Sequence, residues 1–269
     1  MSEPHFLFAA PNWTPASAGI RAMHTLCHML NRMGQRAYLF PCVKNPDFDT
    51  PLWTPGVRGR QIAVYPEGIQ GNPFGSPVVA RWLLYYQGHD FVSAKSDLFF
   101  SWTDAFARAD APATPLRVPI IDEAAFYPPA GGKDAPRPLR CYFARKYRAS
   151  GYIVPEEIER THVDLDSIAP GDRARLREVL QQSEYVMLFE PSTVQEEVLL
   201  CACPTVYANT TMFREPPELS GAAMDTRPES LQRAKDTLVN KCREYMRRKK
   251  LAEEQVRRFI NLCIQRSES

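Results

Sequence analysis

The chain has 269 residues, of which 44% are hydrophobic and 24% are charged, and its formal net charge is +2. This length allows one large hydrophobic core or two modest ones. The small net charge argues against a nucleic-acid binder that works through bulk electrostatics, and no apolar run approaches the ~20 residues that span a bilayer. The seven cysteines, an odd number scattered along the chain, are typical of a reducing cytoplasm rather than of a disulfide framework. We therefore expect a cytoplasmic protein with no nucleic-acid partner.

The first part of the chain alternates the patterns of strands and helices. Strands are predicted over residues 5–10, 36–40, 61–65, 97–102 and 118–121, and helices over residues 20–33 and 77–84. The opening strand–helix–strand succession predicts a parallel sheet with helices on both faces. We assign residues 1–130 to an N-terminal Rossmann-like domain.

A stretch rich in proline, glycine and charge, residues 127–138, is the best candidate for a linker. Beyond it, strands are predicted over residues 139–143, 162–165, 185–189 and 205–207, and helices over residues 171–182 and 193–201. The fold class is therefore α/β, with two Rossmann-like domains facing a cleft, of which residues 131–227 form the second. Residues 228–269 are predicted as amphipathic helices that brace the domains, with a break near Lys250.

The most informative segment is FEPSTVQEEVLLCACPTV, residues 189–206. It predicts a strand end, a turn, a short helix and another strand. Glu197 lies on the helix, where a carboxylate can accept hydrogen bonds from both hydroxyls of a ribose. Ser192 and Thr193 precede the helix, whose N-terminal amides and dipole favour a phosphate. A surface glutamate pair in a generic βαβ unit explains the segment equally well.

Two further positions suit an anionic ligand. Arg145 and Lys146, in the basic segment RCYFARKYR, follow a predicted strand and could neutralise a diphosphate at the carboxyl edge of a parallel sheet. A solvated basic turn is a comparable interpretation. Gly19 opens the first helix and would let a ligand approach the backbone. The chain has neither a GxGxxG nor a Walker A motif, which disfavours a dinucleotide oxidoreductase and a P-loop nucleotidase.

Candidate catalytic and sugar-binding residues lie in the first domain. His24, one turn into the first helix, could act as a general base, although helix packing is the default interpretation. Glu67 and Asn72 lie on an irregular loop and could hydrogen-bond sugar hydroxyls, and Trp82 could stack on a sugar face. Turn chemistry explains the glycines and prolines of this loop equally well.

No metal site is predicted. His24 and His28 share a helix face but have no evident third ligand. The Asp-x-Asp pattern occurs at Asp164 and Asp166, and again at Asp47 and Asp49, but such a pattern is expected by chance on the order of once, so neither match alone indicates a metal site.

The basic run Arg247, Arg248, Lys249 and Lys250 lies in the C-terminal helical region. The solvated outer face of a packing helix is the commoner explanation for such a run. The alternative is a peripheral contact with the anionic inner face of a membrane.

In this order, these passages resemble GT-B glycosyltransferases of bacterial capsule- or O-antigen-type polysaccharide biosynthesis. The passage SAGIRAMHTLCHMLNRMGQRAYLF looks like the family's opening, and YPEGIQGNPFGSPVVARWLL is similar to a passage of that branch. Residues 189–206 resemble the donor-site signature. There are departures: Glu190 and Glu197 are separated by six residues instead of seven, Ala202 replaces the customary glycine, Val198 replaces the customary alanine, and the chain is short.

The resemblance implies transfer of a sugar, of the hexosyl type, from a nucleotide-diphosphate donor to a saccharide or lipid-linked acceptor. It implies that the domain of residues 1–130 is the acceptor side and that the domain of residues 131–227 binds the nucleotide-sugar donor. It implies that Glu197 binds the ribose and that Arg145 and Lys146 meet the diphosphate, with Gly19, Glu190, Ser192 and Thr193 completing the donor site. It also implies metal-independent catalysis with no cofactor. Two alternatives stay open: a non-catalytic sugar- or nucleotide-binding scaffold, and a sugar-nucleotide epimerase of the same fold.

Overall fold

The structure, a computed structural model, describes residues 3–85, 92–107, 112–121, 124–132, 135–169, 171–213 and 221–268. The chain divides into two compact units. Unit 1 comprises Met1–Ile120 and Lys249–Ser269, and unit 2 comprises Ile121–Arg248. The first boundary therefore falls before the predicted linker, and the C-terminal helices are shared between the units. The assignment of acceptor and donor sides to the two domains stays a prediction.

Unit 1 contains a parallel sheet of six strands among its described residues. The elements are β1 (His5–Phe8), α1 (Ala18–Arg32), β2 (Ala37–Leu39), β3 (Gln61–Pro66), β4 (Val78–Leu83), β5 (Leu98–Ser101), a 3₁₀ turn (Asp104–Phe106) and β6 (Thr114–Pro115). The strand order is β2-β1-β3-β4-β5-β6. The order reverses between β1 and β3, which makes the carboxyl ends of these two strands the topological switch point of the sheet.

The prediction of a helix over residues 77–84 is wrong, because this segment forms strand β4. All six residues of β4 are buried, including Arg81 and Trp82, as expected for a central strand of a parallel sheet that is covered on both faces. A fully buried run has neither the helical nor the alternating period, so its pattern does not identify a strand. The strand predicted over residues 118–121 is also wrong; the last strand of this sheet is β6, a few residues earlier.

Unit 2 contains a second parallel sheet, of five strands among its described residues. The elements are β7 (Leu139–Phe143), α2 (Arg145–Ala149), α3 (Glu156–Thr161), β8 (Val163–Asp164), a 3₁₀ turn (Leu165–Ser167), α4 (Arg173–Gln181), β9 (Ser183–Leu188), α5 (Val194–Leu200), β10 (Thr205–Tyr207), β11 (Ala222–Ala223) and α6 (Pro228–Lys250). The strand order is β11-β10-β9-β7-β8, so β7 and β9 form the switch point of this sheet.

The two C-terminal helices pack on different units. Leu238 and Tyr245 of α6 form an apolar cluster with Leu199 of α5 in unit 2. The last helix, α7 (Ala252–Glu268), belongs to unit 1, where the ring of Phe259 lies 5.7 Å from that of Phe6 and 4.7 Å from that of Phe100.

The α/β class, with two parallel Rossmann-like sheets and C-terminal helices, is confirmed. The cleft between the domains stays a prediction. Across the described ranges, no helix combines the length and the apolar character that crossing a bilayer requires.

Candidate functional site

The carboxyl ends of β7 and β9 bring predicted donor residues together in unit 2. Arg145 begins α2 directly after β7, and Glu190 follows β9. The Oε2 atom of Glu190 accepts a hydrogen bond of 2.6 Å from the backbone N–H of Tyr147, which joins the two loops. Open α/β sheets bind their ligands at such a switch point. Residues that are over 40 positions apart in sequence therefore share one edge of the sheet.

Glu190 is 1% exposed, and its carboxylate faces the first turn of α2. Burial raises the pKa of this carboxyl, and the hydrogen bond from Tyr147 and the charge of Lys146 oppose that rise. The carboxylate thus accepts the hydrogen bond of a backbone amide that could otherwise donate to a phosphate. Glu190 is better described as part of the support of this edge than as a ligand-binding group.

Arg145 and Lys146 are exposed at the same edge. The Nε and Nη2 atoms of Arg145 lie 2.9 Å and 2.8 Å from Oδ1 of Asp166, and its side chain remains 43% exposed. Burial raises the pKa of Asp166, whereas the charge of Arg145 opposes this rise. The aspartate therefore fixes the guanidinium at the sheet edge without covering it.

Asp164 and Asp166, the aspartates of one Asp-x-Asp pattern, both bind arginines. Arg148 donates to Oδ2 of Asp164 at 2.7 Å and to the hydroxyl of Tyr142 at 2.6 Å, and it lies 3.3 Å from Glu159. Asp166 binds Arg145 as described above. In the part of the chain that the structure describes, no three or more His, Cys, Asp or Glu side chains form a group that could hold a metal ion.

Glu197 points into unit 2 from helix α5. It is 2% exposed, and its Oε1 atom accepts a hydrogen bond of 2.9 Å from Nη1 of Arg173. The guanidinium of Arg173 lies 4.4 Å from the centre of the Phe126 ring, which adds a cation–π contact. Sequence reasoning missed Arg173, which lies 24 residues before Glu197 in the first turn of α4. A ribose can reach Glu197 only if this ion pair rearranges.

The turn before α5 contains Ser192 and Thr193, both half-buried. The hydroxyl of Ser192 accepts a hydrogen bond of 3.3 Å from the backbone N–H of Val194, so this side chain shapes the turn. Thr193 is the last residue before the helix. Both residues lie at the carboxyl edge, on the loop that also contains Glu190.

The turn after α5 has the backbone geometry of a glycine. Ala202 has φ +53°, the only positive φ of a non-glycine residue among those described. The N–H of Ala202 bonds to the carbonyl of Leu199 at 2.9 Å, and that of Cys203 to the carbonyl of Val198 at 3.1 Å, which is a Schellman motif. The customary glycine of the resembled signature stands at this position. Ala202 therefore departs in residue type while keeping the conformation that favours glycine.

Arg137 stabilises the same turn from outside the predicted site. It donates to the carbonyls of Cys201 and Ala202 at 3.0 Å and 2.9 Å, which are otherwise left without partners at a helix end. Sequence reasoning had placed Arg137 in a linker. The proline-rich surroundings of this residue gave no local signal of its partners.

In unit 1 the structure brings Gly19 and Glu67 together around Leu84. Glu67 directly follows β3, is buried, and accepts a hydrogen bond of 2.9 Å at Oε2 from the backbone N–H of Leu84. Gly19 lies in the first turn of α1, and a Cβ atom added to it would be 3.8 Å from Leu84. That distance is an ordinary contact, so packing does not require glycine there. These residues mark the carboxyl edge of the first sheet.

The other predicted residues of unit 1 have structural partners. His24 is fully buried, with Nε2 3.0 Å from the carbonyl of Pro11, and burial lowers the pKa of its ring. Trp82 is fully buried and donates to the carbonyl of Leu116 at 3.0 Å. Neither ring has surface to offer a sugar, so we correct the assignment of a base to His24 and of a stacking face to Trp82.

Asn72 braces the loop on which it lies. Its Oδ1 atom accepts from the hydroxyl of Tyr65 at 3.0 Å, and its Nδ2 atom donates to the carbonyl of Ser76 at 2.9 Å. The side-chain amide is therefore engaged within its own loop, as the turn interpretation expected.

No protein-family model matches this chain, and no curated protein sequence is significantly similar to it. Among solved structures, the chain is similar to a sucrose-phosphate synthase from Thermosynechococcus elongatus, with a TM-score of 0.47, 10% identity, and coverage of 99% of this chain and 98% of that one. It is also similar to an alpha-glucosyltransferase in complex with UDP and a 13-mer DNA containing a HMU base, with a TM-score of 0.48, 10% identity, and 95% of both chains covered. At these values, no activity, ligand or site is transferred from either protein, and the fold described above rests on the chain's own two parallel sheets.

Proposed function

We propose that this chain is a glycosyltransferase that moves a sugar from a nucleotide-diphosphate donor to a saccharide or lipid-linked acceptor. The observation that carries the proposal is the position of Arg145 and Lys146. These exposed cations lie at the switch point of unit 2, next to the loop of Ser192 and Thr193. A parallel sheet binds ligands at this point, and cations there suit a diphosphate.

The donor-like segment supports the same reading. It folds as a strand, a turn, a short helix and a left-handed turn that leads into β10, with Ala202 in the conformation that the customary glycine of the resembled signature would adopt. A left-handed residue after a helix is common, and here it stands where the resembled signature has its glycine. This agreement supports a donor site in unit 2.

Within this proposal, the cations of the protein stabilise the negative charge that develops on the leaving diphosphate, without an obligatory metal. Arg145 is the more important because its guanidinium can bind two oxygens at once. In unit 1, Glu67 is the remaining candidate for a catalytic group, since His24 has no exposed surface. Polysaccharide biosynthesis is the setting that the sequence resemblance suggests.

Calorimetric titration with a panel of nucleoside diphosphates tests the donor site. Replacing both cations in R145Q/K146Q should weaken the affinity by roughly 10- to 100-fold, because two charge-assisted contacts are lost. The matched control is R140Q on the same strand β7: Arg140 is 54% exposed and pairs with Glu184. Equal affinity in the double variant and in R140Q would contradict the site.

The role of Glu197 has a separate readout. If its carboxylate accepts from both ribose hydroxyls, the protein should bind a ribonucleoside diphosphate more tightly than its 2′-deoxy analogue. Glu197→Gln should lower nucleotide affinity by about 1.5–3 kcal/mol and reduce this preference. A preference that is unchanged in the folded variant would assign Glu197 to its ion pair with Arg173 alone.

One observation favours a second candidate, a non-catalytic sugar- or nucleotide-binding scaffold. Glu190 is bonded to the Tyr147 amide, Arg145 to Asp166, and Glu197 to Arg173, so the main charges of the edge already have partners. Measured donor hydrolysis and transfer separate the candidates. Nucleotide binding without turnover of any donor in the panel would favour the scaffold.

A further inference from the structure

We infer that the C-terminal half of α6 is a docking surface for an anionic lipid bilayer. The surface, called here the basic face, consists of Val239, Arg243, Met246, Arg247 and Lys250. Val239, Arg243, Met246 and Lys250 follow one another at intervals of four, three and four. Arg247 is four residues after Arg243 and three before Lys250, so all five share one side of the helix over ~16 Å. The inference is independent of the proposed transferase activity.

The packing of α6 determines which side of the helix is outside. Leu238 and Tyr245 are buried and contact Leu199 of α5, with Cys242 beside them. The basic face is on the opposite side, and all five of its residues are exposed. The orientation therefore follows from the core of unit 2 and not from the charge pattern alone.

The cations of the basic face are not used inside the protein. The side chains of Arg243, Arg247 and Lys250 have no ion-pair partner among the described residues. The acidic residue nearest to them on the helix, Glu244, lies 3.1 Å from Lys241 and 3.4 Å from Arg248. Glu244 is therefore already paired, and Asp236, the other acidic residue on this side of α6, precedes Arg243 by seven residues, ~10 Å along the helix axis.

Only part of the basic run of residues 247–250 lies on the basic face. Arg248 turns toward Glu244 and is half-buried, and Lys249 lies about 100° around the helix from Lys250. Only Arg247 and Lys250 of this run belong to the basic face, and Arg243, one turn earlier, joins them.

Two exposed apolar side chains lie among the cations. Val239 is 53% exposed and Met246 is 42% exposed, and Met246 lies directly beside Arg247. Cations mixed with apolar side chains are what the interface of an anionic bilayer accommodates: lysine and arginine meet the headgroups, and the apolar groups enter the acyl boundary. A nucleic-acid backbone would bind the cations and leave Val239 and Met246 in water.

Co-sedimentation of the full chain with vesicles of phosphatidylcholine, alone or mixed with phosphatidylserine, tests the inference. We expect binding only to the mixed vesicles, and weaker binding as the salt concentration rises. The variant R243Q/R247Q/K250Q should lower the partition coefficient on the order of 100-fold, since each cation contributes near an anionic surface. The variant V239S/M246S should lower it roughly 10-fold.

The matched control is R227Q/R233Q/K235Q, which removes the same charge from the N-terminal part of the same helix and from Arg227, the residue that precedes it. It should bind vesicles nearly as well as the unchanged protein, and so should R248Q/K249Q. Circular dichroism melts should be alike for all variants, because the replaced side chains lie outside the core. Equal losses in the control and in the basic-face variant would overturn the docking surface, as would absence of binding to mixed vesicles. Binding to duplex DNA that equals vesicle binding, with no effect of V239S/M246S, would replace the bilayer with a general polyanion.

Discussion

The two units share the order of their first strands but support the carboxyl edges of their sheets in different ways. In unit 1, two predicted site residues are buried rings that contact backbone carbonyls, His24 that of Pro11 and Trp82 that of Leu116. The ion pair of this unit between Arg81 and Asp97 is itself buried. In unit 2, the corresponding edge is a network of ion pairs, which are Arg145–Asp166, Arg148–Asp164 and Arg173–Glu197.

This difference shows that strand order alone does not make a site. A switch point supplies a place where loops diverge, and the side chains on those loops decide which ligand chemistry is available. In unit 1, His24 and Trp82 are buried in the packing, and Glu67 is the predicted catalytic residue that remains near the edge. Unit 2 keeps exposed cations there. We therefore expect anions to bind to unit 2 with an affinity that falls as the salt concentration rises.

The largest expected effect concerns the packing of unit 1. Phe259→Ala on α7 should lower the free energy of unfolding by about 3–5 kcal/mol, because the ring is fully buried between Phe6 and Phe100 and leaves a cavity. Denaturant unfolding measures the loss, and hydrogen exchange should localise it to unit 1.

The control for this prediction is Arg257→Ala on the same helix. The side chains of Arg257 and of its partner Glu253 are both largely exposed and lie 4.0 Å apart, so the change should cost less than about 0.5 kcal/mol. Loss of exchange protection spread evenly over both units would contradict the separation of their cores.

The comparison also explains what the sequence could predict. Local pattern identified the strands that flank a turn or a helix, and β7 and β10 have the predicted bounds. It failed at β4, whose uninterrupted burial has no period to detect. Trp82 was misassigned for the same reason, since a residue expected on an exposed helix lies in the centre of a sheet.

Side-chain partners were harder to predict than elements. The sequence indicated the elements that contain Arg145 and Glu197, but it did not indicate their partners Asp166 and Arg173, which lie 21 and 24 residues away from them. Such pairs depend on how strands are ordered in the sheet, which no local spacing encodes. The aspartates of the Asp-x-Asp pattern are therefore identified as arginine partners only in three dimensions.

A smaller effect concerns Glu190 at the ionic edge of unit 2, whose protonation should make the stability of the protein depend on pH. The raised pKa of Glu190 means that the folded protein holds this proton more tightly than the unfolded chain does. The resulting stabilisation is fully present below the ordinary value of 4.5 and is lost as pH rises through the raised pKa.

Glu190→Gln, which keeps an acceptor for the Tyr147 amide, should therefore gain stability relative to the unchanged protein as pH rises above 4.5. The slope should be at most about 1.4 kcal/mol per pH unit. Denaturant unfolding at several pH values measures it, with Glu184→Gln on the preceding strand β9 as the control. A constant difference at every pH would show that the carboxylate does not titrate in this window.

The smallest effect tests the left-handed turn that links unit 2 to the donor signature. A non-glycine residue at φ +53° carries a conformational cost, so Ala202→Gly should raise the free energy of unfolding by about 0.5–1 kcal/mol. The same chemical change at Ala149, in helix α2, should lower it by a similar amount because glycine is unfavourable in a helix. Opposite signs in thermal melts of the two variants would establish that the backbone at Ala202 favours glycine. Destabilisation by both would mean that the methyl group of Ala202 contributes more through packing than its conformation costs.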